Sequence, residues 1–376
     1  MNSTMDSDID TNYEDFLNFL AGNDSYVETN LGYVESGHVR LCQKMDVVHF
    51  GAKYLPPFFY MNFIISILGN GLVLYIIYKY EKLGTVTNIF LLNLVISDLL
   101  FACSLPFYAV YHASEWIFGR TMCKLVSSLF SVGFYSSILF LTLMTFDRYL
   151  AVVHAVTAAK QRRKAYAISS SVVVWVVSLA SSVKELILHD TRSDPKYGEL
   201  CEDLGYDQNS MTKWKLFGYY QQFIMFFMIP LAIVLYCYVR ITVRVLSTRM
   251  REKCRAVKLI FVIVLTFFIC WTPYNVVILL QALEMSYSRP TDCLSDTLDY
   301  AHFITRNLAF LYCCISPVFY TFVGKKFQNH FRKLLARHIP CLKSFVLTTD
   351  TRSQTSKTTS CKNPYMLTDK TSVRML

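Results

Sequence analysis

Long apolar runs separated by short polar segments fill the chain between residues 55 and 322. A helix needs about 20 mostly apolar residues to cross a bilayer. Seven runs meet this length, at 55–78, 88–111, 122–149, 165–187, 215–239, 257–283 and 297–322. Lipid cannot hydrogen-bond an exposed backbone, and the runs lack the apolar and polar alternation of barrel strands, so each run is predicted to be a helix. The pattern therefore predicts an all-α membrane protein, a bundle of seven transmembrane helices.

Serine and proline distinguish some spans from the others. The third run is more polar, and its serines suit a central helix that packs among other helices instead of facing lipid. These serines are Ser127, Ser128, Ser131, Ser136 and Ser137. A proline inside a span removes a helical hydrogen bond, so kinks are predicted at four positions. These positions are Pro106, Pro230, Pro273 and Pro317.

The orientation follows from lysine and arginine in the short segments between spans, because these residues favour the cytoplasmic side. The loop after the fifth run contains Arg240, Arg244, Arg249, Arg251, Lys253, Arg255 and Lys258, with Glu252 as its only acid. The loop after the third run and the stretch after the seventh are also basic, and they fall on the same side. The first 41 residues are acidic, and Arg40 is the only lysine or arginine among them. An odd number of spans places this tail outside the plasma membrane and the C-terminus inside.

The composition agrees with a membrane protein. Only 17% of the residues are charged, against roughly 25% in soluble domains. The formal net charge of +10 is compatible with nucleic-acid binding, but the basic residues are confined to loops and tail, so no nucleic-acid partner is expected. The N-terminus lacks the basic and apolar regions of a cleavable signal peptide, so the first span is expected to be both targeting signal and anchor. No CxxC or His-rich spacing indicates a metal site, and no cofactor is expected.

The residues after the last span divide into two segments. At 324–340 the pattern predicts a short amphipathic helix on the cytoplasmic leaflet, in contact with membrane lipid; the alternative is a solvated tail. Its apolar face consists of Phe327, Phe331, Leu334 and Leu335. Cys341 is a candidate for lipidation, and 341–376 is expected to be a disordered cytoplasmic tail rich in Ser and Thr. The expected organisation is completed by an extracellular acidic tail at 1–54 and the bundle at 55–323.

Asp98 lies in the middle of the second span, where a carboxylate is costly and indicates a functional site by default. The alternative is a structural hydrogen bond between helices. Polar or kinking residues in other spans favour the functional interpretation. They are Asn70, Trp271, Pro273, Ser316, Pro317 and Tyr320.

Asp147, Arg148 and Tyr149 end the third span on its cytoplasmic side. This triplet and a marker in every span resemble the rhodopsin-like family of G-protein-coupled receptors, over nearly all of residues 50–340. The markers are Asn70, Asp98, Arg148, Trp175, Pro230, Pro273 and Pro317. The resemblance implies that Asp147 holds Arg148 at rest and that Arg148 engages a heterotrimeric G protein after the sixth helix swings outward. It also implies that Tyr238 and Tyr320 stabilise the open state.

The chain departs from this family at two positions. Lys253 stands in the region where many relatives carry an acid that latches Arg148, so this latch is expected to be absent. Ser316 replaces the asparagine of the NPxxY motif, and a hydroxyl can still hydrogen-bond there. The replacement puts sodium coordination near Asp98 in doubt.

The cysteines at the span edges narrow the resemblance to the chemokine receptors. In the family, cysteines placed like Cys123 and Cys201 pair and tie a loop over the binding pocket. Cys42 and Cys293 resemble the second bridge typical of chemokine receptors, and the oxidising exterior allows both bridges. The alternative for Cys42 and Cys293 is two free thiols.

The N-terminal tail carries a second sign of a chemokine receptor. Tyr13, Tyr26 and Tyr33 have acidic neighbours, the context for tyrosine sulfation, and a sulfated tail would attract a basic chemokine by electrostatic steering. The alternative is an ordinary solvated acidic tail. Asn2 and Asn23 begin glycosylation sequons. Trp116, ahead of the third span, is a further candidate for ligand contact.

The end of the seventh span resembles the XC-type receptors, which recognise lymphotactin. The run from Arg306 to Phe310, Arg-Asn-Leu-Ala-Phe, is the closest match, and segments 258–261 and 271–275 are also similar. Most chemokine receptors place a glutamate facing the pocket where Arg306 stands. Arg306 is therefore expected to face the pocket and set ligand choice; the alternative is that it snorkels to the outer surface.

These patterns predict a plasma-membrane chemokine receptor of XC type that signals through an inhibitory-class G protein, leading to calcium mobilisation and chemotaxis. Arrestin and receptor kinases are the other expected partners, and no enzymatic activity is expected. A CC-type receptor and a scavenging chemokine receptor without G-protein signalling are the alternatives. A transporter is a third, which would need paired charges along a water path and usually more spans.

Overall fold

The computed structural model describes residues 45–80, 85–155, 164–203, 208–248, 251–287 and 295–323, all of which belong to the unit Val39–Leu376. Its elements follow one another as α1 (Met45–Tyr80), α2 (Val86–Ala113), α3 (Gly119–Val153), α4 (Lys164–Ser181), α5 (Val183–Leu188), β1 (His189–Asp194), β2 (Gly198–Asp203), α6 (Gln208–Phe223), a π-helical turn (Ile224–Met228), α7 (Ile229–Thr248), α8 (Arg251–Tyr287) and α9 (Asp296–Val323). The fourth span consists of α4 and α5, and the fifth of α6, the π turn and α7.

These elements confirm the predicted seven-helix bundle. Among the described residues, six helical segments are long and apolar enough to cross a bilayer, namely Asp46–Tyr80, Val86–Ala113, Gly119–Val153, Lys164–Leu188, Ser210–Val245 and Val264–Tyr287. The seventh helix, α9, has 28 residues. Several helices extend beyond the predicted apolar runs, because a helix continues into its polar flanks where apolarity no longer marks it. The predicted amphipathic helix at 324–340 lies outside the described residues.

The third span is the most enclosed, as its serine content predicted. In its most apolar window 67% of the residues are buried inside the protein, against 33% in the first span and 28% in the fourth. The helix packs against α2, α4 and α7. Two of its buried serines donate to carbonyls of their own helix, Ser128 to Lys124 (2.7 Å) and Ser136 to Val132 (2.7 Å). Small polar side chains therefore let neighbouring helices approach closely without leaving hydroxyl groups unsatisfied.

Gly133 marks the closest approach of α2 and α3. A Cβ atom placed there would lie 2.6 Å from the Phe101 backbone nitrogen and 2.9 Å from the Ser97 carbonyl oxygen. In the same contact, Ser136 Oγ donates to Ser97 Oγ at 2.8 Å. The neighbouring atoms belong to the backbone of Phe101 and Ser97, which cannot move aside as the end of a flexible side chain could. Only glycine therefore fits at this position.

We expect Gly133→Ala to destabilise the bundle, by roughly the 1–3 kcal/mol typical of overpacking. The thermal unfolding midpoint of the detergent-solubilised receptor measures this loss. Gly71→Ala in α1 is the matched control, because a Cβ atom there meets nothing within 4 Å. Alanine is intrinsically better than glycine inside a helix, so the control should unfold at the same temperature or slightly higher. Equal midpoints for both variants would contradict the close approach.

The prolines that were predicted to kink the spans lie in helices or at their irregularities. Pro106 is inside α2 and Pro273 is inside α8. Pro230 is the second residue of α7, just after the π-helical turn Ile224–Met228, where the helix takes up an extra residue per turn. Pro317 lies in α9. The kinks themselves stay a prediction.

A two-stranded antiparallel hairpin connects the fourth and fifth spans, and the sequence pattern did not predict it. Strands β1 and β2 pair from His189 with Asp203 to Asp194 with Gly198. At its turn, Asp194 Oδ1 accepts hydrogen bonds from the backbone nitrogens of Lys196 (2.9 Å) and Tyr197 (3.1 Å). Gly198 closes the turn with a φ of 72°, which favours glycine. The strands are too polar for β propensity to specify the hairpin. Contacts at its turn and at the ends of its strands therefore hold it together.

Candidate functional site

The hairpin is tied to the third span by a disulfide. Cys123 at the start of α3 and Cys201 in β2 are bonded, with their Cα atoms 5.7 Å apart, which confirms the first predicted bridge. The bridge is buried together with Trp116 and Val126. Next to it, Arg120 Nη2 lies 2.6 Å from Asp190 Oδ2 in β1. The hairpin is therefore fixed at the extracellular end of the third span.

Glu115 and Trp116, in the loop before α3, hold the other end of the hairpin. Glu115 Oε2 accepts a hydrogen bond from the Glu199 backbone nitrogen (2.8 Å), and the Trp116 backbone nitrogen donates to the Glu199 carbonyl (2.8 Å). The Trp116 indole donates to the Gly119 carbonyl at 2.9 Å, and the residue is only 1% exposed. Its ring thus supports the hairpin, and the predicted ligand contact of Trp116 stays a prediction. Glu115 was missed, because a glutamate in a polar loop carries no distinguishing pattern.

A contact between a histidine and an aspartate closes the open ends of the two strands. His189 Nδ1 lies 2.8 Å from Asp203 Oδ1. Burial alone would raise the pKa of the Asp203 carboxyl, but the contact with His189 and the charges of Lys215 and Lys184 outweigh burial and hold that pKa below its ordinary value. The carboxylate form of Asp203 is therefore favoured at neutral pH, and the pair joins the base of the hairpin.

A cavity of about 180 Å³ is lined by residues of the second to the seventh spans and by His189 of the hairpin. Aromatic rings form much of its wall, including Phe134, which stacks on Trp271 with ring centroids 4.4 Å apart. Polar groups of the wall belong to Tyr108, Ser127, Ser131, Tyr135, Lys184, Glu185, His189, Gln222 and Tyr274. An apolar cavity with a few convergent polar groups is the usual form of a ligand site.

Arg306 lies beside this cavity, on the seventh span. Its guanidinium carbon is 5.6 Å from the centroid of the Phe303 ring and 5.9 Å from that of Phe310, within range of cation–π attraction. Phe310 itself lines the cavity. The Arg306 Nε atom is buried and has no hydrogen-bond partner among the described residues. The side chain is thus held between two rings of its own helix, one turn from the cavity wall.

Asp98 is buried in the bundle and hydrogen-bonded across two helices. Its side chain is 1% exposed, and Ser137 Oγ of α3 donates to its Oδ1 at 2.8 Å. This bond satisfies the carboxylate in part and joins the second span to the third. Trp271 lines the cavity and also lies near Ser137, and its indole nitrogen is buried without a hydrogen-bond partner among the described residues.

At the cytoplasmic end, Thr87 of α2 connects Arg148 and Asp147. Arg148 Nη2 donates to Thr87 Oγ1 at 2.7 Å, and that hydroxyl donates to Asp147 Oδ2 at 3.4 Å. The threonine therefore holds the arginine against the second span. Thr87 was not among the predicted residues, because a threonine near the start of a helix is usually explained by capping.

Two tyrosines surround this contact. The Tyr149 hydroxyl lies 3.0 Å from His154 Nε2, and its ring is buried with Cys237 and Ile241. The Tyr238 ring lies 5.2 Å from that of Phe261 in the sixth span. The Tyr238 hydroxyl is buried, and Thr145 of the third span is within hydrogen-bonding reach of it.

The remaining predicted site residues are only partly placed. Pro273 lies in α8, and Ser316, Pro317 and Tyr320 lie in α9, where the structure describes the helix but not their side chains. Eight further candidates lie outside the described residues, namely Asn2, Tyr13, Asn23, Tyr26, Tyr33, Cys42, Cys293 and Cys341. Within the described part of the chain, no cluster of three or more histidine, cysteine, aspartate or glutamate residues is placed to hold a metal ion.

Comparison with known proteins agrees with this arrangement. Residues 69–320 match the family model of the 7 transmembrane receptors, rhodopsin family. The chain is also similar to the C-C chemokine receptor type 3 of Cavia porcellus, with 40% identity over 300 residues, which cover 79% of this chain and 83% of the relative. The residues matched by the family model include those that line the cavity, form the disulfide and make up the Asp147-Arg148-Tyr149 triplet. The chain therefore belongs to the rhodopsin family of seven-transmembrane receptors, and within it to the chemokine receptors, which are multi-pass proteins of the plasma membrane and not enzymes.

Proposed function

We propose that the protein binds a small basic chemokine outside the cell and activates an inhibitory-class heterotrimeric G protein inside it. Calcium mobilisation and chemotaxis follow. The observation that carries this proposal is the third span, which has the Cys123 bridge and the cavity at one end and Arg148 at the other. A ligand acts here by population shift, because it binds the active arrangement better and draws the equilibrium towards it.

The proposed activation step releases Arg148 from the second span. At rest Thr87 holds the guanidinium and touches the Asp147 carboxylate. When the sixth span moves outward, Arg148 is free to engage the G protein. The buried hydroxyl of Tyr238 lies near Thr145 of the third span, and we propose that it helps to stabilise the open state together with Tyr320.

The proposed first step of binding is electrostatic capture by the N-terminal tail. Its acidic residues and the sulfated forms of Tyr13, Tyr26 and Tyr33 attract the basic ligand. The second bridge, Cys42–Cys293, then sets where the tail leaves the bundle. Glycans on Asn2 and Asn23 are proposed modifications of the same tail.

The cytoplasmic partners proposed beyond the G protein are receptor kinases and arrestin. The tail at 341–376 is rich in Ser and Thr, and each phosphate adds about −1.5 to −2 charge. Residues 324–340 are proposed to lie on lipid as an amphipathic helix, with Cys341 as a lipid anchor. A scavenging receptor is the second candidate, but the intact Asp147-Arg148-Tyr149 triplet favours G-protein signalling.

We propose XC-type specificity within the chemokine receptors, with lymphotactin as the ligand. The observation in its favour is Arg306, since a half-buried guanidinium beside the cavity disfavours a cationic group at this wall. The relative from Cavia porcellus carries a C-C name, so CC-type specificity is the alternative.

A charge reversal at this position tests the assignment. Arg306→Glu should lower the potency of lymphotactin at least about 30-fold, the smaller of the losses seen when a buried charge loses its partner. Arg306→Lys keeps the charge but not the planar fork, and it should lose less. The measurement is inhibition of cyclic-AMP formation in transfected cells, normalised to receptor at the cell surface. Unchanged potency of Arg306→Glu would mean that the arginine does not set ligand choice.

A further inference from the structure

A second, much smaller cavity lies inside the bundle and shares Trp271 with the larger one. Its volume is about 10 Å³, whereas a cavity needs roughly 10–15 Å³ to hold one water molecule. Its walls belong to the second, third, sixth and seventh spans. The lining residues are Phe101, Gly133, Phe134, Ser137, Ile138, Phe267, Trp271 and Tyr312. The space therefore holds one water molecule at most.

This small cavity adjoins the carboxylate of Asp98. Ser137, one of its lining residues, donates to Asp98 Oδ1 at 2.8 Å. Phe101, another lining residue, lies three positions after Asp98 and therefore on the same face of the second span. The resemblance to rhodopsin-like receptors places sodium coordination near Asp98. The size and the walls of this cavity therefore show whether a cation fits there.

The ring of Tyr312 enters this part of the bundle from the seventh span. The residue is only 1% exposed, and its ring lies edge-on to that of Phe267, with centroids 5.1 Å apart. Phe267 in turn lies 5.9 Å from Trp271, measured between ring centroids. A tyrosine side chain is large, so it fills space that a small polar residue at this position would leave to water and ions.

The walls of the small cavity offer a cation few ligands. Hard cations bind through about six oxygen atoms. Among the described residues that line the cavity, only Ser137 and Tyr312 have oxygen in their side chains. A space of this size cannot supply the missing ligands as water molecules. A sodium ion in this cavity would therefore be a buried charge without enough partners, which is costly.

Aromatic rings separate the small cavity from the larger one. Phe134 and Trp271 line both cavities, and their rings stack with centroids 4.4 Å apart. A cluster of three more rings completes the barrier, with centroid distances of 4.9 Å from Phe101 to Phe130, 5.0 Å from Phe101 to Phe310 and 5.4 Å from Phe130 to Phe310. Between these residues a hydrated ion from the extracellular side meets packed rings and no polar path.

We propose that the ring of Tyr312 takes the place of a sodium ion in this receptor. An aromatic side chain, and not a bound cation, then fills the space beside Asp98. A cation that bound one arrangement of the helices better than another would shift their populations. Because the ion is excluded here, the resting and active arrangements keep the same populations at any sodium concentration.

Thermal unfolding of the purified receptor in sodium chloride and in N-methylglucamine chloride tests the proposal. Both salts are used at about 0.15 M, so that the screening of surface charges is equal. A cation that binds only the folded state raises the unfolding midpoint. We expect equal midpoints in the two salts for the unaltered receptor. Tyr312→Asn opens the cavity and adds an amide oxygen, so its midpoint should be a few degrees higher in sodium.

Three further variants serve as controls. Tyr312→Phe keeps the ring and should unfold at the same temperature in both salts. Adding Asp98→Asn to Tyr312→Asn removes the carboxylate, so the gained dependence on sodium should disappear. Phe140→Asn opens a fully buried site of the third span that faces Trp175 of the fourth, at 5.6 Å between ring centroids. It should lower the midpoint by the same amount in both salts.

Two results would overturn the inference. A higher midpoint of the unaltered receptor in sodium would mean that the ion binds although Tyr312 is present, and this comparison needs no variant to fold. Equal midpoints of Tyr312→Asn in the two salts would mean that the ring is not what excludes the ion. Neither ligand nor G protein takes part in these measurements, so their outcome is independent of the proposed function.

Discussion

Arg148→Ala is expected to abolish G-protein activation while the receptor still reaches the cell surface and binds its ligand. The arginine lies at the cytoplasmic end of the third span, far along the helix from Cys123 and the cavity. An alanine there removes a charged group with five donors. Loss of one partner of a buried charge contact costs about 2–5 kcal/mol. G-protein activation should therefore fall at least about 30-fold. Nucleotide exchange and ligand binding, measured on the same membranes, separate the two effects.

Thr87→Val is the matched variant for this prediction. Valine has nearly the shape of threonine but cannot accept the hydrogen bond from Arg148 or donate to Asp147. The resting position of Arg148 should then be weakened, so basal nucleotide exchange should rise, opposite to the effect of Arg148→Ala. Normal G-protein activation by Arg148→Ala would refute the role assigned to the arginine. Unchanged basal nucleotide exchange in Thr87→Val would refute the role of Thr87 in holding Arg148 at rest.

Removing the disulfide should have the second large effect. In a variant with Cys123→Ser and Cys201→Ser, the hairpin loses its covalent tie to the third span. The bridge closes a loop with a sequence separation of 78 residues, for which the chain-entropy model gives a stabilisation of about 4.5 kcal/mol. We expect specific ligand binding to fall to background, because the hairpin then no longer keeps its position over the cavity.

Cys103→Ser is the control for this variant, because Cys103 is a free, exposed thiol in the second span. It should bind ligand like the unaltered receptor. Binding of fluorescent lymphotactin at the surface of intact cells, normalised to receptor number, is the measurement. Full binding by the variant without the bridge would show that the contacts of Glu115, Trp116 and Arg120 suffice to hold the hairpin.

The spans could be predicted because crossing a bilayer demands long apolar helices, which leave an unmistakable pattern. The central position of the third span was also predictable, since serines that face lipid would be costly there. The helix ends were not, as α8 shows by beginning at Arg251, six residues before the predicted run. The hairpin escaped prediction because its strands are polar and depend on Asp194, Gly198 and a disulfide.

The site was predictable only where a single residue breaks the rule for its surroundings. Asp98 and Arg306 stood out as charges inside apolar spans. Glu185 did not, because it lies beside Lys184 near the end of a span, where charged residues are common. Its place in the cavity wall depends on a hydrogen bond with Ser131 of the third span, and no sequence pattern specifies that contact. Thr87 likewise acquires its role only through the packing of the second span on the third.

The most direct test is nucleotide exchange by an inhibitory-class G protein with the purified receptor in lipid nanodiscs, measured against purified XC-type and CC-type chemokines. We predict that lymphotactin accelerates exchange in the unaltered receptor and not in Arg148→Ala. Acceleration by a CC-type chemokine alone would overturn the XC-type specificity and leave the rest intact. If no chemokine accelerates exchange, although chemokine binds the receptor, the proposal that this protein signals through an inhibitory G protein is contradicted.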